Sequence, residues 1–392
     1  MMERSLKVKV VSFTLVLLNT LLLADLEYTV TNTNFTISQG SIVPSLDKRY
    51  LYNYNRLRLQ TDYTYENFFM TFIGDGVNYL GHEYVSSVDF AYITQLEADT
   101  PFKTESSYYD YYEGNVYAKL YRLYGGYEDE DNRITMGLQN ITMGVGRLWN
   151  PTNLFNPRNT YALEPDETFG VAAIAYTRHL SETADLRVVA SQKKDHSFKY
   201  AGSLKSFLEF GDVGVNVVSS DETLMLGYEL EGNLGETGVE IRSEGAYIKN
   251  RAIVVDLAGK KTEMSFYQGI IGADYGFENG ITIVGEALYS SKSFTFDEIL
   301  LNINSEIAPN LLFSHFYLGT SISYAFNIFL DGSLTYIESF NDKNSRFISP
   351  TLTYTFNDYN TFTLGAMIQN GPKGSEFGVF ENSYYLRYQL SF

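Results

Sequence analysis

The sequence predicts an all-β chain: a transmembrane antiparallel up-and-down β-barrel of about 18 strands, with about 16 also compatible with its length. Three observations carry this. Apolar and polar residues alternate with a period of two in segment after segment, which sends successive side chains to opposite faces of a strand. The connections between these segments alternate between short polar turns and longer polar or Tyr-rich stretches, the habit of barrels that cross a membrane. After the N-terminal leader no apolar run is long enough for a spanning helix, which excludes a helical membrane protein.

The leader comes first. Arg4, Lys7 and Lys9 precede Val10 to Leu23, an apolar run broken only by Ser12, Thr14, Asn19 and Thr20. A basic flank followed by a run too short to span a bilayer reads as a secretory signal peptide, residues 1–24, cleaved near Ala24. Residues 25–392 are then the barrel. From Leu26 to Tyr92 the strands can be divided in more than one way.

Beyond Asp110 the faces separate. Ile134, Met136 and Leu138 alternate with Arg133, Thr135, Gly137 and Gln139. Phe198, Tyr200, Leu204, Leu208 and Phe210 oppose Lys199, Lys205 and Glu209, and Leu224, Leu226, Tyr228 and Leu230 oppose Gly227, Glu229 and Glu231. Leu352, Tyr354 and Phe356 alternate with threonines, and Phe362, Leu364, Ala366 and Ile368 oppose Thr361, Thr363, Gly365 and Gln369. Leu226 and Leu364 are expected to face lipid, Glu229 and Thr363 water. Short turns fall at 128–132, 181–185, 233–237, 278–280 and 357–360, and Asn279-Gly280 suits a hairpin. Longer stretches fall at 99–113, 148–168 and 293–310. A crossing needs roughly 9 to 11 residues, which would leave half of the chain for connections.

The chain closes on Ser383-Tyr-Tyr-Leu-Arg-Tyr-Gln-Leu-Ser-Phe392. Tyr384, Leu386, Tyr388, Leu390 and Phe392 share one face, and the last residue is aromatic. This resembles the closing strand of Gram-negative outer-membrane β-barrels, and the resemblance implies that these five residues are the signal read by the barrel-insertion machinery.

One segment breaks the alternation: Gly146-Arg-Leu-Trp-Asn-Pro-Thr-Asn-Leu-Phe-Asn-Pro157, with Arg158 and Glu164-Pro-Asp-Glu167 after it. Two Asn-Pro pairs cannot continue a strand ladder and mark an ordered irregular loop. It is similar to a stretch in a group of poorly characterised porin-like outer-membrane proteins, which reads Asn-Pro-Thr-Asp-Leu-Phe-Asn-Pro after a Gly-Arg and a Trp. Asn153 stands here where that group has an acidic residue. One reading folds residues 148–168 into the lumen as a pore constriction formed by Arg147, Trp149, Arg158, Glu164, Asp166 and Glu167, with the two arginines facing the three carboxylates. The other keeps the segment outside, with Trp149 at the membrane rim.

Charge narrows the partners. The chain carries 29 basic and 47 acidic residues, a formal net charge of −18, which argues against nucleic acid. The inferred lumen faces are balanced: Lys119, Arg133, Arg187, Lys199, Lys205, Arg242 and Arg387 against Glu209, Glu229, Glu231, Glu240, Glu244, Glu286 and Asp331. The acidic surplus therefore lies in turns and loops, and selectivity is expected to depend on the narrowest point, with a weak cation preference that fades in salt. Cys is absent, so disulfides and thiolate metal sites are excluded. His82, His179, His196 and His315 are scattered and no catalytic motif is present, so no enzyme, metal or cofactor is expected. The expected function is an outer-membrane porin-like channel for passive or weakly selective diffusion of small hydrophilic solutes or ions in a Gram-negative bacterium. The alternative is a surface-interaction barrel with Tyr-rich external loops and a blocked lumen. Outer-membrane lipid is the expected surroundings, and a homo-oligomer is compatible.

Overall fold

The computed structural model describes residues 25–43, 46–341 and 343–392; the signal-peptide assignment lies outside the described residues. The chain forms β1 (Asp25–Gly40), β2 (Arg49–Tyr65), β3 (Phe68–Leu80), β4 (Glu105–Tyr111), β5 (Gly114–Glu128), β6 (Asn132–Gln139), β7 (Val171–Ser181), β8 (Ala184–Gln192), β9 (Phe198–Leu208) and β10 (Gly211–Ser219). It continues through β11 (Thr223–Asn233), β12 (Glu240–Val254), β13 (Lys261–Gly276), β14 (Ile281–Ser290), β15 (Phe316–Asn327), β16 (Leu330–Phe340), β17 (Ser345–Asn357), β18 (Asn360–Asn370) and β19 (Ser383–Ser391).

Each wall strand pairs antiparallel with its neighbours, and β1 pairs with both β2 and β19, so the wall closes into a ring. The wall has 18 strands, as the alternation predicts. The extra strand is β4. It pairs only with the Gly114–Lys119 half of β5, whose Leu123–Glu128 half pairs with β6. The five short connections expected from the sequence all lie at the end of the barrel where Asp25 and Phe392 sit, and the three long stretches join strands at the other end. Strands are longer than a bare crossing requires: β2 has 17 residues and β13 has 16, so connections take less of the chain than expected.

The faces follow the sequence. Leu226 and Leu364 point outward, at 52% and 61% exposure, and Glu229 and Thr363 are buried inside. A guanidinium at a lipid-facing midplane position costs about 2–4 kcal/mol. Leu364→Arg should therefore cut the yield of folded, heat-modifiable protein, whereas Thr363→Glu, placed beside Arg387, whose Nη2 donates to Thr363 at 3.2 Å, should be tolerated. Equal losses in both variants would show the faces to be wrongly assigned.

The interior is more apolar than the balanced charge count suggests, because chain from the long-loop end packs into it. Helices α1 (His82–Val85) and α2 (Val88–Ile93) seat Tyr84 and Phe90 on inward-pointing Tyr50 and Tyr52; the Tyr84 and Tyr52 rings stack at 3.7 Å. Helix α3 (Phe296–Leu301), capped by Thr295 with Glu298 reaching back, belongs to a connection whose Phe294, Ile307 and Leu311 pack with Ile141, Met143 and Leu154.

Candidate functional site

Residues 140–170 leave the wall between Gln139 and Val171, which are paired to each other across β6 and β7. The segment has no regular structure, so its backbone N–H groups need acceptors. Three carboxylates on neighbouring strands supply them. Glu229 of β11 accepts from Gly144 N at 3.0 Å. Glu244 of β12 accepts from Val145 N (2.8 Å), Gly146 N (3.1 Å), and the N and Oγ1 of Thr152 (both 2.7 Å). Glu286 of β14 accepts from the N–H groups of Arg147 (2.5 Å), Leu148 (2.8 Å) and Trp149 (3.3 Å). Runs of N–H groups turned to one carboxylate form an anion nest, and hydrogen bonds to a charged acceptor are the stronger kind. Glycine is required at two of these positions: Gly144 has φ of +84°, and a Cβ there would strike the Glu244 carboxylate, while at Gly146 it would strike the Trp149 carbonyl.

Asn153 closes the following turn in both directions. Its Nδ2 donates to Asn156 O at 2.8 Å and its Oδ1 accepts from Asn156 N at 3.1 Å. A carboxylate could make only the second bond. Asn310, from the connection carrying α3, donates to Pro151 O at 3.0 Å and to Gln268 at 2.9 Å.

The far end of the segment is held by β2. Arg56 grips Glu164 with two bonds of 2.8 and 3.0 Å, and Arg58 grips Glu167 with two of the same lengths. Arg58 also binds Asp75 of β3 through Nε at 2.7 Å and Nη2 at 2.8 Å. Tyr121 of β5 lies between Arg58 and Arg122, each guanidinium 4.0 Å from its ring. Burial pushes the Glu164 carboxyl above the usual range despite Arg56. For Glu167 burial acts the same way, and Arg58 and Arg56 outweigh it and hold the group low. Strands β2 and β12 are opposite in the ring, since the walk from one to the other crosses the same number of wall strands either way.

This arrangement departs from the one expected from the sequence. Arg147 does not meet Glu164, Asp166 or Glu167; it sits among Glu231 (3.1 Å), Glu240 (2.7 Å) and Asp274 (3.4 Å) on β11 to β13, because the nest for its backbone draws it to that wall. Arg242 shares Asp274 and, at 3.4 Å, Glu240 with Arg147, and also pairs with Glu286 at 3.2 Å. Of the six residues expected to face one another, only Arg158 and Asp166 pair across the two charges, at 3.5 Å, and Asp166 is 81% exposed. Arg158 also donates to Arg147 O at 3.0 Å. Trp149 is buried against Tyr317, Ile270 and Ile337, away from the outer rim. Arg56, Arg58, Asp75, Arg122 and Asp274 belong to the site without any local motif that marks them; the one signal in the sequence is that Arg56 and Arg58 alternate with Leu57 and Leu59. Glu209 belongs to the turn after β9 rather than to a strand face.

Space remains on one side of the segment. A cavity of about 790 Å³ at the long-loop end is lined by Lys193, Lys199 and Glu306, one of about 330 Å³ lies beside Arg56 and Lys119, and one of about 660 Å³ is lined by Arg122, Arg133, Arg187 and Lys205. The first two share Phe155, Pro157, Asn159 and Phe169, and the last two share Tyr121. In the last cavity Arg133 pairs with Glu128 and Lys205 with Asp212, whereas Arg122 and Arg187 hydrogen-bond to carbonyl oxygens of Tyr121, Thr168 and Thr142 and to the Thr168 hydroxyl. No group of residues suited to a metal ion occurs among the described residues.

The wall and its inward segment can be set beside solved structures. OccAB1 of Acinetobacter baumannii superposes with a TM-score of 0.62 at 9% identity, covering 94% of this chain and 96% of that one. The outer-membrane protein OpdK of Pseudomonas aeruginosa gives 0.56 at 8% identity over 94% and 99% of the two chains. A BenF-like porin from Pseudomonas fluorescens gives 0.56 at 10% identity, again over 94% and 99%. The chain has the fold of these outer-membrane proteins. No family model matches it, and no curated protein matches it by sequence.

The connection at 371–382 also folds inward. Phe377 packs on Tyr161 at 5.3 Å, and Glu376 accepts from Ser339 Oγ at 2.8 Å. Burial pushes the Glu376 carboxyl up to about 7, against the pull of Ser339 and Tyr317. With an ordinary value near ~4.3 when released, the docked form holds a proton that the released form lacks between these limits. Docking is therefore strongest below that window and weakens as pH rises through it. Hydrogen exchange in 371–382 should speed up between pH 5 and pH 8 beyond its intrinsic pH dependence. Glu376→Gln should abolish that excess; its persistence would assign the effect to another group.

Proposed function

We propose that this chain is an outer-membrane channel of a Gram-negative bacterium that passes small hydrophilic solutes by passive diffusion, with residues 140–170 as its constriction. The observation that supports this best is a segment tied to opposite walls of a closed barrel with cavities following one another along its flank. A barrel of this size encloses an aqueous channel unless something fills it. The proposed route runs past Phe155 and Phe169 and then Tyr121. The role is non-enzymatic.

Local charge sets the selectivity in this reading. Arg122 and Arg187 border the 660 Å³ cavity without an ion pair among the described residues, and with Arg133 and Lys205 they outnumber the Asp185 and Glu229 carboxylates of the same lining, so the route leans toward anions although the chain as a whole is acidic. OpdK of Pseudomonas aeruginosa was solved with vanillate, which makes that aromatic carboxylate a suitable probe. Planar-bilayer recording on the purified barrel should give discrete current steps. The Arg122→Ala, Arg187→Ala variant should shift the reversal potential toward cations, with the shift largest at low salt. Silence from a heat-modifiable sample would favour the surface-interaction barrel, and an unshifted potential would place the ion route elsewhere.

A further inference from the structure

One outward face of the wall is polar at the depth where the other strands are apolar. Asn32, Asn34 and Thr36 of β1 are the register partners of Leu390, Tyr388 and Leu386 on β19, the outward row of the closing strand. On the other side Asn34 is opposite Asn55 and Thr36 opposite Asn53 of β2, and Asn55 is in turn opposite Asn78 of β3. The outward row of β10, on the far side of the ring, is Val213, Val215 and Val217, opposite Leu230, Tyr228 and Leu226.

The amides are only half satisfied by one another. Asn32 and Asn55 exchange bonds of 3.2 and 3.4 Å, and Asn34 and Asn53 exchange bonds of 3.0 and 2.9 Å. Each amide has two donors and two acceptor sites, so this pairing leaves Asn32, Asn34 and Asn55 with a free N–H and a free lone pair facing outward. Hydrocarbon offers nothing to either group, and polar groups at this depth are met by protein or water rather than lipid. A second observation points the same way. Gly76 lies on the outward face of β3, its φ is not positive, and a side chain there would meet nothing within 4 Å. The wall itself gives no reason for a glycine, whereas close approach of another surface does.

We propose that this face, on β1 to β3, is the contact between two copies of the chain in the membrane. The patch presents amide donors and acceptors in equal number, so a copy related by a two-fold axis meets each free N–H with a free oxygen. The proposal rests on the membrane-barrel reading above.

The chain has no cysteine, so Thr36→Cys introduces its only thiol. In intact outer membranes a short bis-maleimide should link this variant into a species of twice the monomer mass, while Val215→Cys on the far wall stays monomeric. The Asn34→Leu, Asn53→Leu variant should keep its heat-modifiable form and fall from dimer to monomer mass by light scattering in mild detergent. A monomeric Thr36→Cys, linking no better than Val215→Cys, or linking to a different protein, would overturn the proposal. Lack of a heat-modifiable form in the parent would instead overturn the barrel reading.

Discussion

Replacing Glu244 and Glu286 together by alanine should open the lumen and raise single-channel conductance several-fold. Glu244 has no solvent exposure and receives four hydrogen bonds from the segment; Glu286 receives three more from its backbone. Hydrogen bonds to charged groups are worth on the order of 1.5–3 kcal/mol each, and here all the donors but the Thr152 hydroxyl are backbone N–H groups of an irregular segment. Without the carboxylates, residues 144–152 gain more from water than from the wall. The Gln double variant keeps an acceptor oxygen at each position and should show a smaller gain. Trp149, the only tryptophan, reports the same event, because its emission should shift to the red as it leaves Tyr317 and Ile337. Unchanged conductance and unchanged emission in the alanine variant would mean that the segment is held by other contacts.

Removing the opposite anchor should act on stability first. In the Arg56→Ala, Arg58→Ala variant, Glu164, Glu167 and the almost fully enclosed Asp75 lose their forked partners. Deleting one member of a buried ion pair costs about 3–5 kcal/mol, since the charge left behind is neither paired nor hydrated. The temperature at which the compact gel form is lost should drop, and Arg58→Lys, which keeps the charge without the fork, should fall between the two. A melting temperature equal to the parent's would show that water reaches these carboxylates freely.

Much of the wall could be read from the chain because the binary pattern is strong where it is read. Leu224 to Leu230 or Phe362 to Ile368 can face lipid on one side only. Arg49 to Tyr65 resists the same treatment for a physical reason: Tyr50, Tyr52 and Tyr54 point inward onto α1 and α2, while Asn53 and Asn55 point outward, so the usual contrast between faces disappears. The irregular segment announces itself through its prolines and its tryptophan. Its anchors do not, because Glu244 and Glu286 lie some 90 to 140 residues further on and Arg56 about 110 residues before Glu164. Only closure of the sheet brings them to one level, and no local spacing encodes that.

The detour between Gln139 and Val171 imposes an order on how the molecule is made. Both feet of the segment stand at one point of the wall, so the wall can zip up with the segment hanging free. Its two moorings lie on strands that are far apart in the chain and become opposite walls only once β1 has joined β19. Both moorings can be held at once only after the wall has closed, so closure of the sheet precedes full seating of the segment.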